Sequence, residues 1–128
     1  MTSFKGTISS SFQGMAQTIQ LAIKKNGKTN DGLDKINGYC IIRDAKDTSR
    51  QIKLSLSGTY DEDGERLRLA SGERLSGKNF NYCNFTFASF YKWGAEDFEA
   101  QFAFKRDLRR QTECDKLRSG AKINVTKI

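Results

Sequence analysis

The chain has 128 residues, enough to enclose one hydrophobic core and too few for two, so it reads as a single domain spanning 1–128. Lys and Arg outnumber Asp and Glu by 22 to 15, and the resulting charge of +7 favours an anionic partner: nucleic acid, an acidic protein or a lipid head-group surface. Histidine is absent and no run of about 18 apolar residues occurs, which excludes histidine-based acid–base chemistry and a transmembrane helix.

Met1 to Gly6 show neither the charged nor the apolar region of a secretory signal, which leaves the compartment open between cytoplasm and an exported location with its signal removed. Apolar and polar residues alternate with a period of two, interrupted by Gly and Asn, from one end of the chain to the other. A first strand is expected at Phe4 to Ile8 and a second at Gln17 to Lys24, where Ile19, Leu21 and Ile23 share a face. Asn26-Gly27-Lys28 is expected to turn the chain, Lys28 to Lys35 to form a loop, and Gly38 to Arg43 to form a denser strand. After a turn at Asp44 to Ser49, the run Gln51 to Tyr60 places Ile52, Leu54 and Leu56 on one face, with Gly58 marking a bulge or bend.

Asp61-Glu62-Asp63-Gly64 is a hairpin signal in which Gly supplies the positive φ, and Leu67 and Leu69 alternate in the return strand. Residues 71–77 read as a polar connection. The stretch Phe80 to Phe104 carries ten of the fourteen aromatic residues and should hold the centre of the core, with Phe98, Ala100, Phe102 and Phe104 facing in and Glu99 and Gln101 facing out. Residues 105–120 fit either a short helix capped by Asp107, with Leu108 and Leu117 turned inward, or a long hairpin. Ala121 to Ile128 closes the chain as a strand. The fold class expected is all-β: an antiparallel meander barrel of about eight strands, with at most one short helix in 105–120 and a two-sheet sandwich as the alternative.

The order Phe4-Lys5-Gly6, Ile19-Gln20-Leu21, Asn37-Gly38-Tyr39, Ile52 to Tyr60, Gly64 to Leu69 and Phe85 to Trp93 resembles a small calycin-like barrel of the lipocalin and avidin kind. A second resemblance covers Ala70-Ser71-Gly72-Glu73-Arg74, Trp93-Gly94-Ala95-Glu96, Lys105-Arg106-Asp107 and Cys114, whose order is similar to that of the periplasmic C-type lysozyme inhibitors. In those inhibitors a loop serine of the Ser-Gly motif and a lysine near the aromatic strand enter the lysozyme cleft. The resemblance therefore implies such a role for Ser71 and Lys92.

Catalytic chemistry is not legible. No nucleophile–base pair stands out, the glycines of 71–77 are wrongly spaced for a phosphate loop, and no cofactor is expected. Cys40, Cys83 and Cys114 are far apart and without a histidine partner, so a structural metal site is not expected, while three disulfide pairings and three free thiols all stay open. Asp61, Asp63 and Glu65 alternate, but as hairpin-turn residues and not as a calcium loop.

The one asymmetric feature is the final 24 residues, which carry about +5 of the net charge. The reading is a non-enzymatic binding or inhibitory protein with a protein partner. Its contacts come from barrel-end loops, including Ser71, Arg74 and Lys92, and from a basic flank of Lys105, Arg106, Arg109 and Arg110. The alternatives are a barrel enclosing a small apolar or aromatic ligand, and a single-strand nucleic-acid binder.

Overall fold

The period-two pattern folds as that period requires, into strands that place alternate side chains on opposite faces of one sheet. The computed structural model describes residues 1–10, 17–44, 49, 51–77, 84–104 and 121–128. Its strands are β1 (Thr2–Ser10), β2 (Gln17–Lys28), β3 (Asp34–Asp44), β4 (Gln51–Asp61), β5 (Arg66–Ser76), β6 (Phe85–Phe90), β7 (Asp97–Phe104) and β8 (Ala121–Lys127). Each pairs antiparallel with the next, and β8 pairs back onto β1 through the register Phe4 to Lys127 and Ser10 to Ala121, so the meander closes. Closure replaces the two-sheet alternative with one continuous wall that has no sheet edge at the β1–β8 seam.

The inward residues form one apolar core. Ile19, Leu21 and Ile23 from β2, Ile52, Leu54 and Leu56 from β4, Leu67 and Leu69 from β5, and Ile123 and Val125 from β8 are all buried. Lys53, Glu99 and Gln101 belong to the outward parity, as expected, and Lys53 lies over the Tyr39 ring with its ammonium 4.3 Å from the ring centre. Phe98 faces in, whereas Phe102 and Phe104 are placed only by register, opposite Phe87 and Phe85.

Three inward-facing glycines, Gly6, Gly38 and Gly58, let so small a barrel close, and a Cβ built on Gly6 would lie 1.7 Å from the carbonyl oxygen of Asn124. A Cβ built on Gly58 would lie 1.8 Å from the carbonyl oxygen of Arg68, and one on Gly38 would lie 1.9 Å from that of Ala22. All three fall on the inward parity where adjacent strands coil tightly against each other. Gly58 is thus a site of close approach within unbroken pairing to Ile36 and Leu69, not a bulge.

The two barrel ends differ. Both termini and the turns 29–33, 62–65 and 91–96 lie at one end, and the connections β1–β2, β3–β4, β5–β6 and β7–β8 are anchored at the other, the far end. Phe4, Tyr60, Tyr91 and Phe98 plug the terminus-bearing end. Phe98 sits 5.0 Å from Phe4 and 4.9 Å from Tyr91, ring centre to ring centre, and Tyr60 stands 6.2 Å from Tyr91. The tyrosine hydroxyls accept backbone N–H groups of the β6–β7 turn, Tyr60 from Trp93 at 3.0 Å and Tyr91 from Gly94 at 3.1 Å. An aromatic body buried in the core with its polar tip bound to a turn fixes that turn against the barrel.

Several boundaries differ from the sequence reading. β2 continues through Asn26-Gly27-Lys28, with a register shift between Lys25 and Lys28, and the chain reverses instead at 29–33. There Thr29 Oγ1 accepts the Leu33 N–H at 3.0 Å and Gly32 takes a φ of 83°. In the β4–β5 turn the residue with positive φ is Glu65, at 50°, and not Gly64; Asp61 Oδ1 accepts the N–H groups of Asp63 and Gly64. Residues 71–76 are not a loop. They extend β5, because a polar sequence still offers the backbone groups a ladder needs, and they pair with β4 across two register shifts. The helix-or-hairpin expectation for 105–120 lies outside the described residues, and so do Phe80, Tyr82, Cys83 and Cys114.

Candidate functional site

At the terminus-bearing end the turns carry five acids, Asp31, Glu62, Asp63, Glu65 and Glu96, against one base, Lys92. Beside them Asp34, with a side chain only 8% exposed, accepts from Lys28 at 3.0 Å and pairs with Lys25 at 3.4 Å. Lys25 also lies 4.8 Å from the centre of the Trp93 ring, a cation–π contact over the half-buried indole. The hydrogen bond from Lys28 lowers the Asp34 pKa below its ordinary 3.8, and desolvation opposes that shift without reversing it. The same bond raises the Lys28 pKa above 10.5.

A carboxyl whose folded pKa is depressed adds stability that is present above its unfolded pKa and lost as pH falls through the folded one. An ammonium whose pKa is raised adds stability that is present below its unfolded pKa and lost as pH rises through the folded one. The pair is therefore fully effective between roughly pH 4 and pH 10. Asp34→Asn is expected to lower the urea midpoint at pH 7, with the gap to wild type closing as pH falls below about 4. A gap that stays constant down to pH 2 would show that Asp34 acts through packing and not through charge.

Among the described residues the interior offers a ligand few free polar groups. The buried polar side chains there are Asp34, held by Lys25 and Lys28, and the hydroxyls of Ser71 and Ser89, all engaged. Ser71 Oγ accepts the Phe85 N–H at 2.8 Å and donates to Asn84 Oδ1 at 3.1 Å, while the Ser89 hydroxyl donates to the Glu99 carbonyl oxygen. Among the described residues no buried side-chain nitrogen or oxygen lacks a hydrogen-bond partner. Cys40 is a buried free thiol whose pKa is pushed up to about 12 by desolvation, which keeps it protonated and poorly nucleophilic.

The segments that join strands at the far end lie almost wholly outside the described residues, and their sequence carries the opposite charge. The connections anchored there, 11–16, 45–50, 77–84 and 105–120, contain nine bases and four acids, a net of +5, whereas the turns at the terminus-bearing end net −4. Arg74 is exposed on the part of β5 that runs to the far end, where its register partner is Leu54. Lys105, Arg106, Arg109 and Arg110 lie outside the described residues, but the segment containing them leaves the barrel after Phe104 and re-enters at Ala121, both at this end. Topology thus groups Arg74 with the anchors of the basic flank.

It separates them from Lys92, which is exposed in the β6–β7 turn at the opposite end. Ser71, expected in a loop, is instead a buried wall residue with its hydroxyl occupied.

Sequence reasoning missed the Asp34 ion-pair cluster and the exposed ring of Phe90. Asp34 looked like a loop acid because the two lysines that hold it come from the preceding strand. Phe90 was counted with the core aromatics, although its spacing of three and five from Phe87 and Phe85 puts it on the outward parity. The chain matches no family model, no curated protein and no solved structure.

Proposed function

We propose that this protein is a non-enzymatic binding protein that acts by occupying an acidic protein partner, with the far end of the barrel as its contact surface. The reading is supported by the net charge of +5 that the sequence places in the segments joining strands at the far end, 11–16, 45–50, 77–84 and 105–120. A field of this kind orients an approaching anionic surface toward one end and speeds productive encounter. Arg74 and the flank residues Lys105, Arg106, Arg109 and Arg110 supply the contacts. Lys92 lies at the wrong end to share them, and Ser71 supports the wall behind them.

The closed eight-strand antiparallel meander is compatible with a calycin-like barrel, and among the described residues its interior is apolar apart from Asp34 and two hydroxyls, all already bound. That favours an outward surface over an enclosed ligand, because a ligand site needs a few free polar groups to orient what it binds. A protein partner is favoured over nucleic acid because acids interrupt the basic flank and the exposed ring of Phe90 ends β6 at the terminus-bearing end, opposite to where that flank is anchored.

The test is affinity capture from host extract with wild type, with Arg109→Ala/Arg110→Ala and with Lys92→Ala. Wild type and Lys92→Ala are expected to retain the same acidic protein and the double variant to lose it. Failure to capture a protein, together with binding to a single-stranded oligonucleotide whose affinity falls with salt by a log–log slope of roughly −0.7 per phosphate contact, would overturn the reading in favour of nucleic acid.

A further inference from the structure

On the outer wall of β5, β6 and β7 the sequence departs from a solvated surface. Leu67 and Leu69, Phe85 and Phe87, and Phe98 and Ala100 are buried inside, so the residues between them face out. Along β6, the middle strand, the outward positions include Ala88 and Phe90, and Phe90 is 79% exposed with the Arg66 guanidinium 5.7 Å from its ring centre. β5 carries Arg66 and Arg68 on one flank of this line, and β7 carries Asp97 and Glu99 on the other. All four charged residues are exposed, and the register sets Arg66 level with Phe90 and Arg68 level with Ala88, while Ala88 pairs with Gln101 across β6 and β7. The face therefore has a basic edge, a midline of Thr86, Ala88 and the large ring of Phe90, and an acidic edge.

That arrangement is complementary to itself under one symmetry. A two-fold axis lying along β6 between two copies places β5 of each over β7 of the other, so Arg66 and Arg68 meet the partner copy's acidic edge twice, and Phe90 meets its own counterpart on the axis. A two-fold axis across the strands would instead set arginine against arginine. Sheets packed face to face stand about 10 Å apart, a gap that small midline residues such as Ala88 permit and that long Arg and Glu side chains can bridge. Glu99 already bridges Lys122 at 3.0 Å, so its second oxygen and the Asp97 carboxylate are the groups presented to the other copy.

We propose that the β5–β6–β7 outer face is a homodimer interface, built on Phe90 and on the reciprocal pairing of Arg66 and Arg68 with Asp97 and Glu99. It leaves both barrel ends open, so it is independent of the far-end contact surface.

Analytical ultracentrifugation of the full chain is the test, with two charge-reversed variants, Arg66→Glu/Arg68→Glu and Asp97→Lys/Glu99→Lys, run separately and mixed. Wild type is expected to sediment as a dimer, each variant alone to weaken the dimer by at least roughly tenfold, and the equimolar mixture to recover a heterodimer, since each variant then offers the sign the other lacks. Phe90→Ser should weaken the dimer with native circular dichroism retained, and it stands in if a charge-reversed variant does not fold. A monomeric wild type at the highest soluble concentration, or a dimer unaffected by Phe90→Ser, would overturn the proposal.

Discussion

Phe98→Ala is expected to cost roughly 3–5 kcal/mol of stability, the range for removing a buried aromatic side chain from a packed core. The ring is 6% exposed and lies edge-on to Phe4 and tilted against Tyr91, the two rings that fill the terminus-bearing end with it. Truncation leaves a cavity at the base of the plug, where the closed wall cannot collapse to fill it. Tyr91 holds the Gly94 N–H, so loosening its ring also frees the β6–β7 turn. Urea denaturation checks the prediction, and a midpoint equal to wild type would mean that the plug is not what closes this end.

Gly58→Ala is also expected to be strongly damaging, at or beyond the upper end of the roughly 1–3 kcal/mol that overpacking costs. The added methyl would sit 1.8 Å from the Arg68 carbonyl oxygen, and the obstacle is backbone hydrogen-bonded into the ladder, not the flexible tip of a side chain. The control is Gly32→Ala in the β2–β3 turn, where φ is 83° and a Cβ would meet nothing within 4 Å. Only the conformational cost of roughly 1–2 kcal/mol applies there. Thermal and urea midpoints of the two variants separate the mechanisms, and equal losses would contradict the close approach of β4 and β5 at Gly58.

The strands were legible wherever burial is one-sided. Ile52, Leu54 and Leu56 can be buried together only if the chain is extended, so alternation alone sets both the element and its face. Strand ends were not legible, because ladder hydrogen bonds are indifferent to side chains: residues 71–76 are polar yet extend β5, and Asn26-Gly27-Lys28 looks like a turn yet extends β2. The positive φ at Glu65 was hidden for a related reason, since it follows from the length of the reversal and the bonds made by Asp61, not from the glycine beside it. Which connections share a barrel end could not be read from one-dimensional order either. The acidic connections 29–33 and 62–65 are interspersed with the basic ones 45–50, 77–84 and 105–120, and only the meander assigns their anchors to opposite ends.

Binding through the outer surface of the barrel, as proposed, is tested most directly by native mass spectrometry of the protein purified without denaturation. With the interior hydroxyls of Ser71 and Ser89 already hydrogen-bonded and the plug of Phe4, Tyr60, Tyr91 and Phe98 closing one end, the mass expected is that of the bare polypeptide or a whole multiple of it. A stoichiometric small molecule, retained under gentle ionisation and released on unfolding, would contradict the account and place the function inside the barrel.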